Sequence, residues 1–255
     1  TAMTSNDSPL RYLPWFVRDA VVWPLRMFVL GAVLVSVLVW RFKANMHLPG
    51  GHPGPGNPFG SGITSIAQMM QVSVWALCLT VAILMTVGGI VGTDLERGYY
   101  RSWFSKPMAP YWYYLQRWLV GAVVILVTPV VLGLGLAASL GQTGLSWSFM
   151  AQIALAYLVI ASATMLVSIF TSRGWLVVFL LAILQGVLSQ VARSGLIPMW
   201  LVRIHQALPP FHLVGMRAPL PHGGDLWHVV LYGVAMLVAA LALLRFRPLG
   251  SGITT

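Results

Sequence analysis

Long uncharged runs alternate along this chain with short charged or Pro/Gly-rich stretches. Residues 65–92 contain no Asp, Glu, Lys or Arg, and neither do residues 118–172. A helix needs about 20 apolar residues to cross the bilayer core. Lipid offers no partner to an unpaired backbone N–H or C=O, and these runs lack the period-two alternation of barrel strands, so the spanning elements are helices. Six spans are predicted, at approximately 23–41, 65–92, 118–140, 148–171, 174–192 and 227–245. The third and fourth come from one uncharged block, divided at GQTG (141–144). The expected fold is an all-α integral membrane protein, a single transmembrane domain over residues 1–255.

The stretches between spans carry their own patterns. Ser8 and Pro9 suit an N-cap and first helical position, and Leu10, Leu13, Phe16 and Val17 recur at helical spacing. An N-terminal interfacial helix is expected there, with a frayed terminus as the alternative. Residues 1–8 (TAMTSNDS) have no apolar region and do not read as a signal peptide. Residues 45–62 form a Pro/Gly-rich loop, where His47 and His52 have no Cys, Asp or Glu nearby to complete a metal site. Between the last two spans, IPMWLVRIHQAL (197–208) places Trp200, Leu201, Ile204 and Leu208 on one face. A short amphipathic or re-entrant helix at the outer interface is expected.

Composition agrees with this pattern. Hydrophobic residues make up 58% of the 255 and charged residues 8%, far below the roughly one quarter charged in soluble domains. The net charge of +10 comes from basic residues at helix ends, which fits lipid headgroups better than nucleic acid. With both termini cytoplasmic, ten basic residues lie inside (Arg11, Arg18, Arg26, Arg97, Arg101, Lys106, Arg117, Arg173, Arg245, Arg247) and five outside (Arg41, Lys43, Arg193, Arg203, Arg217). That bias favours this orientation in a plasma (inner) membrane, although Arg41 and Lys43 flank the first span on the wrong side. The single cysteine, Cys78, excludes an intrachain disulfide.

The segment TDLERGYYRSWFSKPMAPYWYYLQR (93–117) is a charged island between uncharged blocks. Thr93 and Glu96 fit a capping box, with Asp94 and Glu96 at the positive end of the helix dipole. Leu95, Tyr99 and Trp103 form an apolar stripe, and Arg97 and Arg101 a cationic edge. Pro107 stops this helix and Pro110 allows a new start, while Tyr111, Trp112, Tyr113 and Tyr114 read as an interfacial belt before the third span. Two readings are open: a surface helix that docks a partner, or a positive-inside loop that only sets topology.

Here the chain resembles the type-2 ABC exporter permease family. The resemblance rests on the acidic-Arg-Gly segment after the second span, a Pro, and an Arg opening the third. A second element is IPMWLVRIHQALPPFHLVGMR (197–217), where a Pro and an aromatic precede a short helix, a second Pro and a terminal Arg. The six-span plan and the length fit as well. The resemblance implies a dimer of six-span subunits, a second copy of itself or a homologous permease, each docking a separate ABC ATPase subunit. Thr93, Asp94, Leu95, Glu96, Arg97, Gly98 and Arg101 would then form the coupling helix, and Trp200, Arg203, His205 and Phe211 would belong to the outer gate.

The only lysines, Lys43 and Lys106, lie in no GxxxxGK[ST] motif, so ATP and Mg are expected on the partner rather than on this chain. No Asp, Glu or Lys occupies the centre of a span, which argues against an ion-coupled carrier. Gln68, Gln71, Gln185 and Ser189 are candidate lining for a transport path, with interhelical hydrogen bonding as the alternative. The expected function is a passive permease for a lipid-like, glycan-linked or amphipathic drug-like substrate. The alternatives are a membrane-embedded enzyme or metal-handling protein using His205, His212, His222, His228 and Asp225, and a structural anchor in a larger complex.

Overall fold

The computed structural model describes residues 76–88, 91, 94, 110–140, 147–193, 200, 203, 207–214 and 220–246, with scattered positions between 14 and 37. Five continuous helices are named here: α1 (Ala76–Gly88), α2 (Pro110–Leu140), α3 (Trp147–Ser168), α4 (Gly174–Arg193) and α5 (Gly224–Phe246). Among the described residues there is no strand. Four segments are long and apolar enough to cross a membrane: Tyr111–Val131, Trp147–Ser168, Gly174–Ala192 and Gly224–Phe246. They mark a membrane-embedded protein. The first predicted span falls on scattered helical positions, and of the second only α1 and Val91 are described.

The third predicted span, 118–140, lies inside a longer helix. Helix α2 starts at Pro110, eight residues before the expected 118. Proline suits the first helical position, where its missing N–H has no partner to lose. The aromatic set is therefore helical, and the interfacial-belt reading holds for only part of it. Trp112 is exposed, but Tyr113 and Tyr114 are buried and pack edge to face at 5.1 Å. A helix sends residues one and two apart to different faces, so one aromatic run serves both lipid and core.

The core centres on α3, which touches α2, α4 and α5. In the spanning window of α3, 61% is buried, against 11% for α4, so α4 is peripheral. Contacts fix the directions. A Cβ on Gly121 of α2 would meet the Tyr157 hydroxyl of α3 at 2.6 Å, and one on Gly233 of α5 would meet Leu158 Cγ at 2.6 Å. Gln152, near the start of α3, bonds the backbone of Leu213, in the segment leading to α5. Helices α3 and α5 therefore run parallel, and α2 and α4 run the other way. The close approaches follow from membrane packing, where small residues let backbones meet.

The α3–α4 turn is built from local hydrogen bonds. Thr171 N–H donates to the carbonyl of Val167 and Gly174 N–H to that of Thr171, while the Thr171 hydroxyl accepts from Arg173 N–H. Gly174 is held against the end of α3, where a Cβ would lie 2.7 Å from the backbone nitrogen of Ser168. The Ser168 hydroxyl donates to the carbonyl of Gly88 at 3.5 Å, and a Cβ on Gly88 would meet Trp175 at 2.5 Å. The end of α1 thus sits beside this turn.

Candidate functional site

Helix direction sorts the polar groups to two ends. Arg117, Arg173 and Arg245 gather at one, here called the arginine end. Residues 207–214, His222, Asp225 and His228 gather at the other.

At the arginine end, Asp94 is helical and buried, and pairs with Arg117 at 3.5 Å. The two residues bracket the charged island and lie just beyond α1 and in the second turn of α2. Their attraction ties the start of the island to the wall of the bundle. Asp94 therefore already has an intramolecular partner. Thr93, Leu95, Glu96, Arg97, Gly98 and Arg101 lie outside the described residues.

At the opposite end, Trp200 and Arg203 are helical and exposed, and Phe211 is buried with Val214 in the core. His205 lies outside the described residues. Two side chains that sequence reasoning missed hold this segment. Gln152 Nε2 donates to the carbonyl of Leu213 at 3.1 Å, and the Tyr232 hydroxyl to that of Ala207 at 3.0 Å. The turn closes with Phe211 N–H on the carbonyl of Pro209 and Leu213 N–H on that of Pro210. Among the described residues no three His, Cys, Asp or Glu side chains converge as metal ligands.

Inside the bundle, Gln185 and Ser189 make no interhelical hydrogen bond among the described residues. The Ser189 hydroxyl donates to the carbonyl of Gly186 in its own helix at 2.8 Å. Gln185 is wholly buried, and among the described residues neither its Nε2 nor its Oε1 has a hydrogen-bond partner. It lies 11 residues into a 20-residue helix, near the middle of the membrane. The Ser162 hydroxyl on α3 is also buried without a partner among the described residues. The threonines behave differently: Thr80, Thr86, Thr128 and Thr164 each donate to the carbonyl four residues back, at 2.6–2.8 Å. Such back-bonding uses the hydroxyl's single donor within its own helix and leaves only the oxygen's acceptor capacity for a neighbour. Gln68 and Gln71 lie outside the described residues.

Helix α3 carries most of the buried polar side chains: Gln152, Ser162, Thr164 and Ser168. The only hint in the sequence was their number within one apolar span. No protein-family model, no curated protein and no solved structure matches this chain.

Proposed function

We propose that this chain is the membrane permease subunit of an ATP-driven exporter, acting as a dimer with ATP hydrolysis supplied in trans. The reading rests on the resemblance of residues 93–117 and 197–217 to type-2 ABC exporter permeases. The observation that best supports it is the Asp94–Arg117 pair, which anchors the charged island to α2 at one end of the bundle. An island fastened in this way passes a push from below directly to the helices on either side of it. Asp94 is already engaged, so the docking face falls to Glu96, Arg97 and Arg101.

Apart from Asp94 at the arginine end, the buried polar side chains among the described residues are uncharged, Gln185 and Ser162 foremost. Such a path suits a lipid, a lipid-linked glycan or an amphipathic drug rather than an ion. The 207–214 segment, with Phe211 in the core, then closes the outer mouth. The test is co-purification from cells with the E96A/R101A variant beside the wild-type chain. The wild type should carry an ATPase subunit, and the variant should reach the membrane with that subunit lost. No ATPase on the wild-type chain, or unchanged retention by the variant, overturns the reading.

A further inference from the structure

Exposed aromatic rings mark both membrane boundaries of the α3–α5 pair. Trp147 (90% exposed) and Trp227 (66%) stand at the start of these helices, and Phe170 (71%) and Phe246 (77%) at the end. From Trp147 to Phe170 is 23 residues, roughly 34 Å at the helical rise, and from Trp227 to Phe246 is 19, roughly 28 Å. Both lengths bracket the hydrocarbon core of about 30 Å. The arginine end of this pair therefore lies in the headgroup layer.

The register brings the two helix ends together. Leu158 and Gly233 meet at the crossing, and the helices run parallel. Phe170 lies 12 residues beyond Leu158, and Arg245 lies 12 beyond Gly233, so the two share a height. Arg173 follows in the α3–α4 turn and is exposed, as is Arg245 in the last turn of α5. The Arg245 guanidinium lies 5.8 Å from the centre of the Phe246 ring. Among the described residues neither arginine has a carboxylate partner, and the one described acid at this end, Asp94, pairs with Arg117.

We propose that Arg173 and Arg245, flanked by Phe170 and Phe246, form a binding surface for anionic phospholipid headgroups. Guanidinium groups recognise phosphate through several donors at once. Apolar Phe rings beside guanidinium groups suit acyl chains next to a phosphate, which a soluble acidic protein does not offer, and so lipid is the favoured occupant. The α3–α5 pair holds the core of the bundle, so lipid bound here acts on its most tightly packed part.

The test uses the full chain purified in a neutral detergent and titrated with phosphatidylglycerol or phosphatidylcholine. Thermal unfolding and native mass spectrometry of retained lipid are the readouts. An arginine near an anionic surface strengthens binding about fivefold. The R173A/R245A variant should therefore need roughly 25-fold more phosphatidylglycerol for the same rise in Tm. The R173K/R245K variant should keep most of the effect, and the single alanine variants should fall between, so the comparison survives if the double alanine variant folds poorly. Equal stabilisation of the wild type by both lipids overturns the proposal, as does a wild-type response from R173A/R245A. Soluble poly-glutamate stabilising as strongly as phosphatidylglycerol would assign the arginines to a protein partner instead.

Discussion

The hydroxyl of Tyr157, on α3, donates to the carbonyl oxygen of Trp118, on α2, at 2.6 Å. The ring of Tyr157 packs on that of Trp118 at 5.2 Å, and Gly121 leaves room for the hydroxyl to arrive. Tyr157→Phe keeps the ring and removes the bond. Membrane-protein side-chain bonds average about 0.6 kcal/mol and reach about 1.7, so a loss of roughly 1 kcal/mol is expected. Unfolding in a denaturing detergent would measure it, and a loss below the error of the assay would make the bond incidental.

Gly174 and Gly186 predict opposite outcomes for the same substitution. At Gly174 a new Cβ lies 2.9 Å or less from the backbone nitrogen and Cα of Ser168, and at Gly186 nothing lies within 4 Å. Gly174→Ala should destabilise the chain by about 1–3 kcal/mol, since backbone must move. Gly186→Ala should be neutral or stabilising by up to about 1 kcal/mol, because alanine favours the helix. Melting curves of the two variants should separate in these directions.

Gln185 sits near mid-membrane with both amide atoms unpartnered. Gln185→Met keeps an unbranched side chain of similar length and removes that polar burden. A gain of about 1–3 kcal/mol is expected, the usual penalty of an unsatisfied buried polar group. If the transport reading holds, the same variant should transport less. A lower Tm for Gln185→Met would show that the amide is satisfied in the folded chain.

Asp94 and Arg117 should behave as a coupled pair. Asp94→Asn or Arg117→Gln alone leaves one charge without its counterpart in a mostly buried place, and the double variant removes both. The two single losses should sum to more than the double loss by about 0.5–3 kcal/mol, the range for residues in contact. A double-mutant cycle in detergent measures the difference. A coupling near zero would make the pair a surface contact without consequence.

Much of the helical plan was legible in residue order. Helices α4 and α5 cover the stretches read as spans at 174–192 and 227–245, and α2 ends at Leu140 while α3 begins at Trp147, on either side of GQTG. Hydropathy alone sufficed there, because lipid forces any long uncharged run to satisfy its backbone internally. Pro110 was legible as a helix start, but the inward facing of two tyrosines was not, because an aromatic run implies an interface whereas helical rotation places Tyr113 and Tyr114 inward and Trp112 outward. Of the site residues, Gln185 was visible as polar within an apolar run. Gln152 and Tyr232 were not visible as ties to the outer segment, since their partners are backbone carbonyls 61 and 25 residues away.

The sequence by itself determined the class of molecule and where its helices run, because those follow from local free energies of transfer into lipid. Only the tertiary structure decided which polar groups are spent and which stand alone. Thr80 and Gln185 look alike as polar residues in apolar spans, yet one is bonded within its own helix and the other has no partner among the described residues. The same holds for Asp94 and Arg117, 23 residues apart, whose pairing requires two helix ends to meet. Transfer energies add residue by residue along the chain. Pairing depends on the rotation and register of helices against one another, which packing sets.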